Sequence, residues 1–331
     1  MQISSILDIV DGRLLNHPSI SFIYSIKTNA KRVKEGDLFI VKNDEDITFA
    51  VKNGAFALIV EEKIDIIDNE IAWIYVKSIE DTIKKLLRYL LSNIRLTAFY
   101  CNDVSFELFK ILKKPTVHTN IKLVPKDLSK FFKVIDDLEE NDTLICSSHK
   151  DLDDIYPVNF NFNTKAYDIK NLIEHSIFET TFSYKERYFS KVKLPSLYIK
   201  EFLDVYSFLG FDAELNKLKK FTPLKPIFID KLINHTDYGK TDKFLLAQEN
   251  EELIEKEIEY LKEKYKYAKI LYLTTTEIDD HKDIDYTFIN SLSNLKSFLK
   301  KIPFNGVYFM GVSFDELYDQ VSIEQEEPSL I

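Results

Sequence analysis

The stretch TNAKRVKEGDLFIVKNDEDITFAVKNGAFALIVEE, Thr28 to Glu62, decides how the rest of this chain reads. At its centre, Asp37-Leu38-Phe39-Ile40-Val41 is a short apolar run directly after Glu35-Gly36, the pattern of a buried strand that follows a turn. Thr48 to Asn53 has the makings of a short helix, and Gly54 can end it in the left-handed conformation. Ala57 to Val60 is a second apolar run of strand length. Repeated strand–helix–strand spacing implies parallel sheets with right-handed crossovers, an α/β fold.

Working outward, Ile3, Ile6, Leu7 and Val10 fall on one helical face, Ala72 to Val76 is a third strand, and Ile79 to Leu91 is a long helix. Next come a strand from Arg95 to Tyr100 and a helix from Ser105 to Lys113. A helix inside 121–147 leads to the strand Thr143 to Cys146. Residues 154–192 are rich in Asn, Phe and Tyr and read as strands and loops. Helices are expected over Leu197 to Leu209, ending at Gly210, and over Ala213 to Lys219. Alternation then resumes: strands Pro226 to Leu232 and Phe244 to Ala247, helix Asn250 to Lys264, strand Ile270 to Leu273, helix Ser291 to Lys301, strand Gly306 to Met310. Gln325 to Ile331, acidic and containing Pro328, reads as a frayed tail.

Composition narrows the function. The 331 residues carry a net charge of -10 with acids and bases interspersed, which argues against a nucleic-acid footprint. Only 7 glycines are present, few for loops whose bare backbone must wrap a phosphate. The two cysteines, Cys101 and Cys146, lie far apart and give neither a disulfide framework nor a zinc site. No apolar run approaches the roughly 18–20 residues of a membrane span, and the first residues lack a signal-peptide pattern. A cytoplasmic location is the expectation.

Val33, Gly36, Asp37, Leu38, Phe39, Gly54, Ala55, Ala57 and Val60 fall in register with a pattern that resembles the N-terminal domain of the Mur ligases of peptidoglycan synthesis, the MurE and MurF types in particular. The resemblance implies three parts: a UDP-sugar-binding type of domain over 1–92, a shortened central ATPase-type domain over 93–224, and a C-terminal α/β domain over 225–331. It also implies that Thr28, Asn29, Lys31 and Gly36 flank a site for the uridine-diphosphate end of a substrate. The family's Asp-Ser-Arg there is Asn29-Ala30-Lys31 in this chain, so a hydroxyl is gone and a planar guanidinium has become a point charge.

The central domain of that family opens with a strand and a glycine-rich loop ending in Lys-Thr-Thr. The corresponding place reads Cys101-Asn102-Asp103-Val104-Ser105-Phe106, without either glycine or the lysine, and with an acid where triphosphate would sit. Ser196, Tyr198 and Ile199 replace the family's Gly-x-His-Asn positions, Met310 its late lysine and Phe314 its arginine, while Asn250 aligns with one of its loop asparagines. The resemblance therefore implies a retained scaffold without catalytic residues, metal or cofactor. Its partners would be cell-wall synthesis enzymes or a UDP-muramoyl peptide.

NHTDYGKT, Asn234 to Thr241, lacks one glycine of a phosphate loop; Gly239, Lys240 and Thr241 are the alternative phosphate site of an active ligase that would use ATP and Mg²⁺ to add D-alanyl-D-alanine. The charges of Asn250 to Lys264 recur four apart, as on a solvated helix. Asp151, Asp153 and Asp154 suit a helix N-terminus better than a metal. Cys146 and His149 lack a third catalytic group, and His118, His149 and His175 are ligand candidates by residue type alone. An interaction protein unrelated to the cell wall is the third functional class.

Overall fold

The structure, a computed structural model, describes residues 1–162, 166–276 and 285–322. The expected tail at Gln325 to Ile331 lies outside them. Two compact units result: Met1–Phe106 with Lys113–Asn163, and Glu107–Leu112 with Thr164–Ile331.

The first unit is built on two sheets. One has the strand order Arg13–Leu14, Ala72–Tyr75, Ala57–Val60, Leu38–Ile40, Ile26–Lys27, parallel except for its first pair. Its apolar runs are explained by burial on both faces. Leu38, Ile40, Ala57, Ile59, Ala72 and Ile74 enter one buried cluster, while Phe39, Val41, Leu58, Val60 and Trp73 enter another. The other sheet is wholly parallel, in the order Ile121–Leu123, Thr143–Cys146, Thr97–Tyr100, Asn159–Asn161. Helix Ile79–Leu91 starts where the Ser78 hydroxyl accepts the Asp81 amide, and buries Ile79, Ile83, Leu86, Leu87 and Leu91 in a cluster that also holds residues of both sheets.

Parallel sheets with flanking helices are what the apolar runs imply, and the structure has them. It corrects some elements. Residues 121–123 are a strand rather than a helix, and only the short turns Leu128–Lys130 and Phe132–Ile135 are helical before Thr143. Residue 121 begins the sheet's edge strand, which pairs in parallel with Thr143–Cys146.

In the second unit a three-stranded antiparallel sheet, Ile169–Ser176, Glu179–Tyr184 and Arg187–Val192, packs its aromatic residues on helix Ile199–Phe208. Phe182 and Phe189 stack at 4.7 Å, and Phe202 meets both edge-on. The second sheet runs Ile227–Phe228, Phe244–Gln248, Gly306–Met310, Ile270–Thr274, Thr287–Phe288, parallel except for the first pair. The expected strand over Pro226 to Leu232 shrinks to two residues, because Asp230 turns the chain by accepting the amides of Leu232 and Asn234. Leu215–Lys220 is a 3₁₀ rather than an α-helix, and Ser291 to Lys301 divides into a 3₁₀ turn and the short helix Leu295–Leu299.

One buried carboxylate fastens this unit. Glu257 on helix Glu251–Lys264 is fully buried, and the hydroxyls of Tyr198 and Tyr308 donate to its two oxygens at 2.5 and 2.7 Å. Burial raises its pKa above the usual 4.5, although these tyrosines and Gln248 oppose the shift. Below that value the folded and unfolded chains are both protonated and the contribution is complete. As pH rises the unfolded chain releases its proton first, so stability falls until the folded carboxyl ionises. The loss of denaturant midpoint between about pH 5 and about pH 8 should therefore be smaller in Glu257→Gln than in the unaltered chain. Equal losses would show that this carboxyl is not the source.

Candidate functional site

The backbone before strand Leu38–Ile40 is held from below. Ala30 and Val33 are buried in the outer core of the first sheet, and the Asn29 side chain accepts the Lys31 amide, capping the 3₁₀ turn Ala30–Arg32. Asp37 accepts the Lys34 amide at 2.9 Å and returns its own amide to the Lys34 carbonyl. With Ala30 and Val33 pinned inward, Lys31, Arg32 and Lys34 are left exposed.

A second segment of the same unit meets this turn. The Thr28 hydroxyl donates to the Ser129 carbonyl at 2.8 Å, and Lys42 donates to the Ser129 hydroxyl at 3.0 Å. Asp127 accepts both the amide and the hydroxyl of Ser129. Partial burial pushes the Asp127 carboxyl up, but Ser129 and Lys42 together outweigh it and hold the group below its usual range. This clasp brings Lys130, Phe132, Lys133 and Asp136 to the turn that carries Lys31.

Between them lies a cleft of about 680 Å³. Six cationic side chains line it, Lys27, Lys31, Arg32, Lys34, Lys130 and Lys133, against the single carboxylate of Asp136. Asp136 stands 3.5 Å from Lys27, and Lys130 is 3.8 Å from Asp127. Lys31, Arg32, Lys34 and Lys133 make no ion pair among the described residues. In a chain of net charge -10, that concentration creates a local positive field suited to an anion.

Thr28, Asn29 and Lys31 line the cleft; Gly36 does not. It has φ +93°, donates its amide to the Gly54 carbonyl, and would place a Cβ 2.0 Å from the Tyr24 ring. Its task is the turn into the strand. The Lys31–Lys34 basic run signals the cleft in the sequence, whereas Lys27, Lys130 and Lys133 join it only through tertiary structure.

Where the resemblance leads one to expect a phosphate loop, strand Thr97–Tyr100 passes to helix Asp103–Leu112 through Cys101 and Asn102 alone. The Cys101 amide donates to the Cys146 carbonyl, and the Asn102 side chain accepts the Ser105 amide at 2.8 Å. The helix start is thus capped internally, with Val104, Ser105 and Phe106 buried and Asp103 paired to Lys126 at 3.2 Å. The Gly239-Lys240-Thr241 segment is a turn in which Lys240 pairs with Asp237 at 2.6 Å, Thr241 accepts the Lys243 amide, and a strand follows.

The remaining candidates have structural partners. Asp151 and Asp154 surround Lys84 at 3.5 and 3.0 Å, and the bond to Asp154 raises the lysine's pKa. His118 accepts the Lys114 amide, His175 shares a hydrogen with Thr181, and His149 faces Asp153 at 3.4 Å. Burial pushes the Cys146 thiol up to about 11, the reverse of an activated nucleophile. Asn250 accepts the Glu252 amide and caps its helix. Among the described residues no cluster of three or more metal-ligating side chains occurs, and no helix is long and apolar enough to cross a membrane.

No family model and no curated protein matches the chain. Solved structures similar to it include MurF ligase from Thermotoga maritima in complex with ADP, at 15% identity and TM-score 0.49, covering 90% of this chain and 96% of that one. A UDP-N-acetylmuramoylalanyl-D-glutamyl-2,6-diaminopimelate–D-alanyl-D-alanyl ligase from Acinetobacter baumannii is similar at 10% identity and TM-score 0.49, covering 96% and 97%. Likeness this distant says nothing about chemistry.

Gly36→Ala separates turn from cleft. A Cβ at this φ costs about 1–2 kcal/mol of stability, so the denaturation midpoint should fall while binding of anions in the cleft holds near the unaltered level. A selective loss of binding with unchanged stability would instead put Gly36 in the site.

Proposed function

We propose that this chain is a non-catalytic Mur ligase-like protein that holds the diphosphate end of a UDP-muramoyl peptide, in or beside cell-wall precursor synthesis. One observation carries the reading: six cations and one carboxylate line the cleft formed by Ile26 to Lys34 and Ser129 to Asp136. A diphosphate meets several ammonium groups and one guanidinium there, and charge-assisted contacts of that kind are the strong ones. The register of Thr28 to Glu62 with the Mur ligase pattern supplies the ligand class.

The non-catalytic part rests on the two-residue connection at Cys101 and Asn102. Phosphate loops hold nucleotide through several free backbone amides and a lysine. The side chain of Asn102 already takes the amide of Ser105, and this segment contains no lysine. Lys240 as a relocated phosphate lysine is weakened by its contact with Asp237 and by the absence of a following helix. Partners among cell-wall enzymes belong to the same proposal.

Calorimetry with UDP and with a UDP-N-acetylmuramoyl tripeptide tests it. Binding should weaken about three- to tenfold in Lys31→Ala and in Lys133→Ala and decline with added salt, and Asp136→Asn should tighten it. No heat with either ligand would remove the ligand-holding role. ATP-dependent ligation of D-alanyl-D-alanine that disappears in Lys240→Ala would overturn the non-catalytic one.

A further inference from the structure

A separate pocket of about 230 Å³ lies within the second unit, lined in part by Glu179, Lys193, Lys219, Lys225, Phe228 and Tyr238. We propose that it is a binding site for a compact monocarboxylate with a flat apolar body, the carboxylate meeting Lys225 and the body lying against Phe228 and Tyr238.

The three lysines differ in how far they are already satisfied. Lys193 contacts the Glu179 carboxylate and lies 5.3 Å from the centre of the Tyr238 ring. Lys219 is exposed at the edge, where water serves it. Lys225 is half-buried, and no carboxylate of the described residues comes within ion-pair distance of it. Its ammonium rests 4.5 Å from the centre of the Phe314 ring, and Asp315 acts on it only at longer range. A ring face offsets part of the lost hydration of an ammonium and leaves its remaining N–H donors without an anionic acceptor. Burial also draws the pKa of Lys225 below the ordinary lysine value, the direction expected of a cation short of counter-charge.

Size and walls select the ligand. The volume is below the roughly 300 Å³ at which drug-sized pockets begin, so the occupant is small. Phe228 and Tyr238 meet edge-to-face with centroids 5.3 Å apart, giving an apolar wall for a planar group. One half-buried cation without a carboxylate partner matches one negative charge. Inorganic phosphate carries more charge and offers the rings nothing to cover.

Benzoate is the probe, with benzyl alcohol as its neutral counterpart and inorganic phosphate as competitor. Ligand-observed NMR on the full chain should show benzoate bound and benzyl alcohol at least about tenfold weaker. Lys225→Met should lose at least about tenfold in benzoate affinity, Lys225→Arg should retain most of it, and Phe228→Ala should weaken it several-fold. Equal binding of benzyl alcohol, displacement of benzoate by equimolar phosphate, or unchanged affinity in Lys225→Met would each overturn the site. If Lys225→Met does not fold, the comparison of benzoate with benzyl alcohol on the unaltered chain decides. Neither unit-one cleft variants nor UDP should change the result, so this site stands or falls apart from the diphosphate cleft.

Discussion

Strand Leu38–Ile40 is paired on both sides and buried on both faces, and the geometry of the first unit follows from that double constraint. Its parallel partners are Ile26–Lys27 and Ala57–Val60, so neither edge is free to slide. Leu38 and Ile40 belong to one core while Phe39 belongs to the other. A shift of one residue would exchange the two sets and drive Phe39 into space shaped for leucine. Because the strand cannot move, the turn that enters it cannot move either. The amide of Gly36 reaches the carbonyl of Gly54 in a conformation that a side chain would strain.

That fixed entry turns a stretch of sequence into a charged surface. Ala30 and Val33 are drawn into the outer core, and the residues beside them have no direction left except solvent. Three cations in four consecutive positions would spread apart on a free loop through mutual repulsion. Here the backbone holds them together, and the Thr28–Ser129 and Lys42–Asp127 contacts add Lys130 and Lys133 from the neighbouring segment. The repulsion so gathered disfavours the empty cleft and is relieved by any multivalent anion that enters it. Burial of short apolar strands thus leads, through one pinned turn, to a concentration of positive charge in an acidic protein.

Much of the architecture was legible in the sequence because buried parallel strands are apolar without interruption. Leu38–Ile40, Ala57–Val60, Thr143–Cys146 and Gly306–Met310 all appear as short apolar runs between turn or helix signals. Ile121–Leu123 did not, because a charged Lys122 interrupts its apolar residues and a three-residue edge strand has too little periodicity to show. The long antiparallel strand Ile169–Ser176 is exposed along most of its length, so burial imposed no alternation there. At the cleft, Thr28, Asn29 and Lys31 are named by the resemblance of Thr28 to Glu62 to the Mur ligase pattern. Lys130 and Lys133 are not, because only the fold brings positions a hundred residues apart to one wall. Gly36 was assigned to the site by pattern, whereas its geometry assigns it to the turn.

The connection at Cys101 and Asn102 shows the same economy in the opposite sense. A phosphate loop holds backbone amides away from their usual partners, and glycine permits the required conformations. In this chain three amides near the strand end have partners inside the protein: that of Cys101 on the neighbouring strand, that of Ser105 on the Asn102 side chain, that of Phe106 on the Asn102 carbonyl. Val104 and Phe106 fill the space below, and Asp103 directs its charge to Lys126. A triphosphate would have to break these bonds, displace buried side chains and overcome an adjacent carboxylate before gaining a single contact. The cleft at Lys31 asks for none of that, since Lys31, Arg32, Lys34 and Lys133 are already exposed and make no ion pair among the described residues. The two places therefore differ in what an incoming anion must undo.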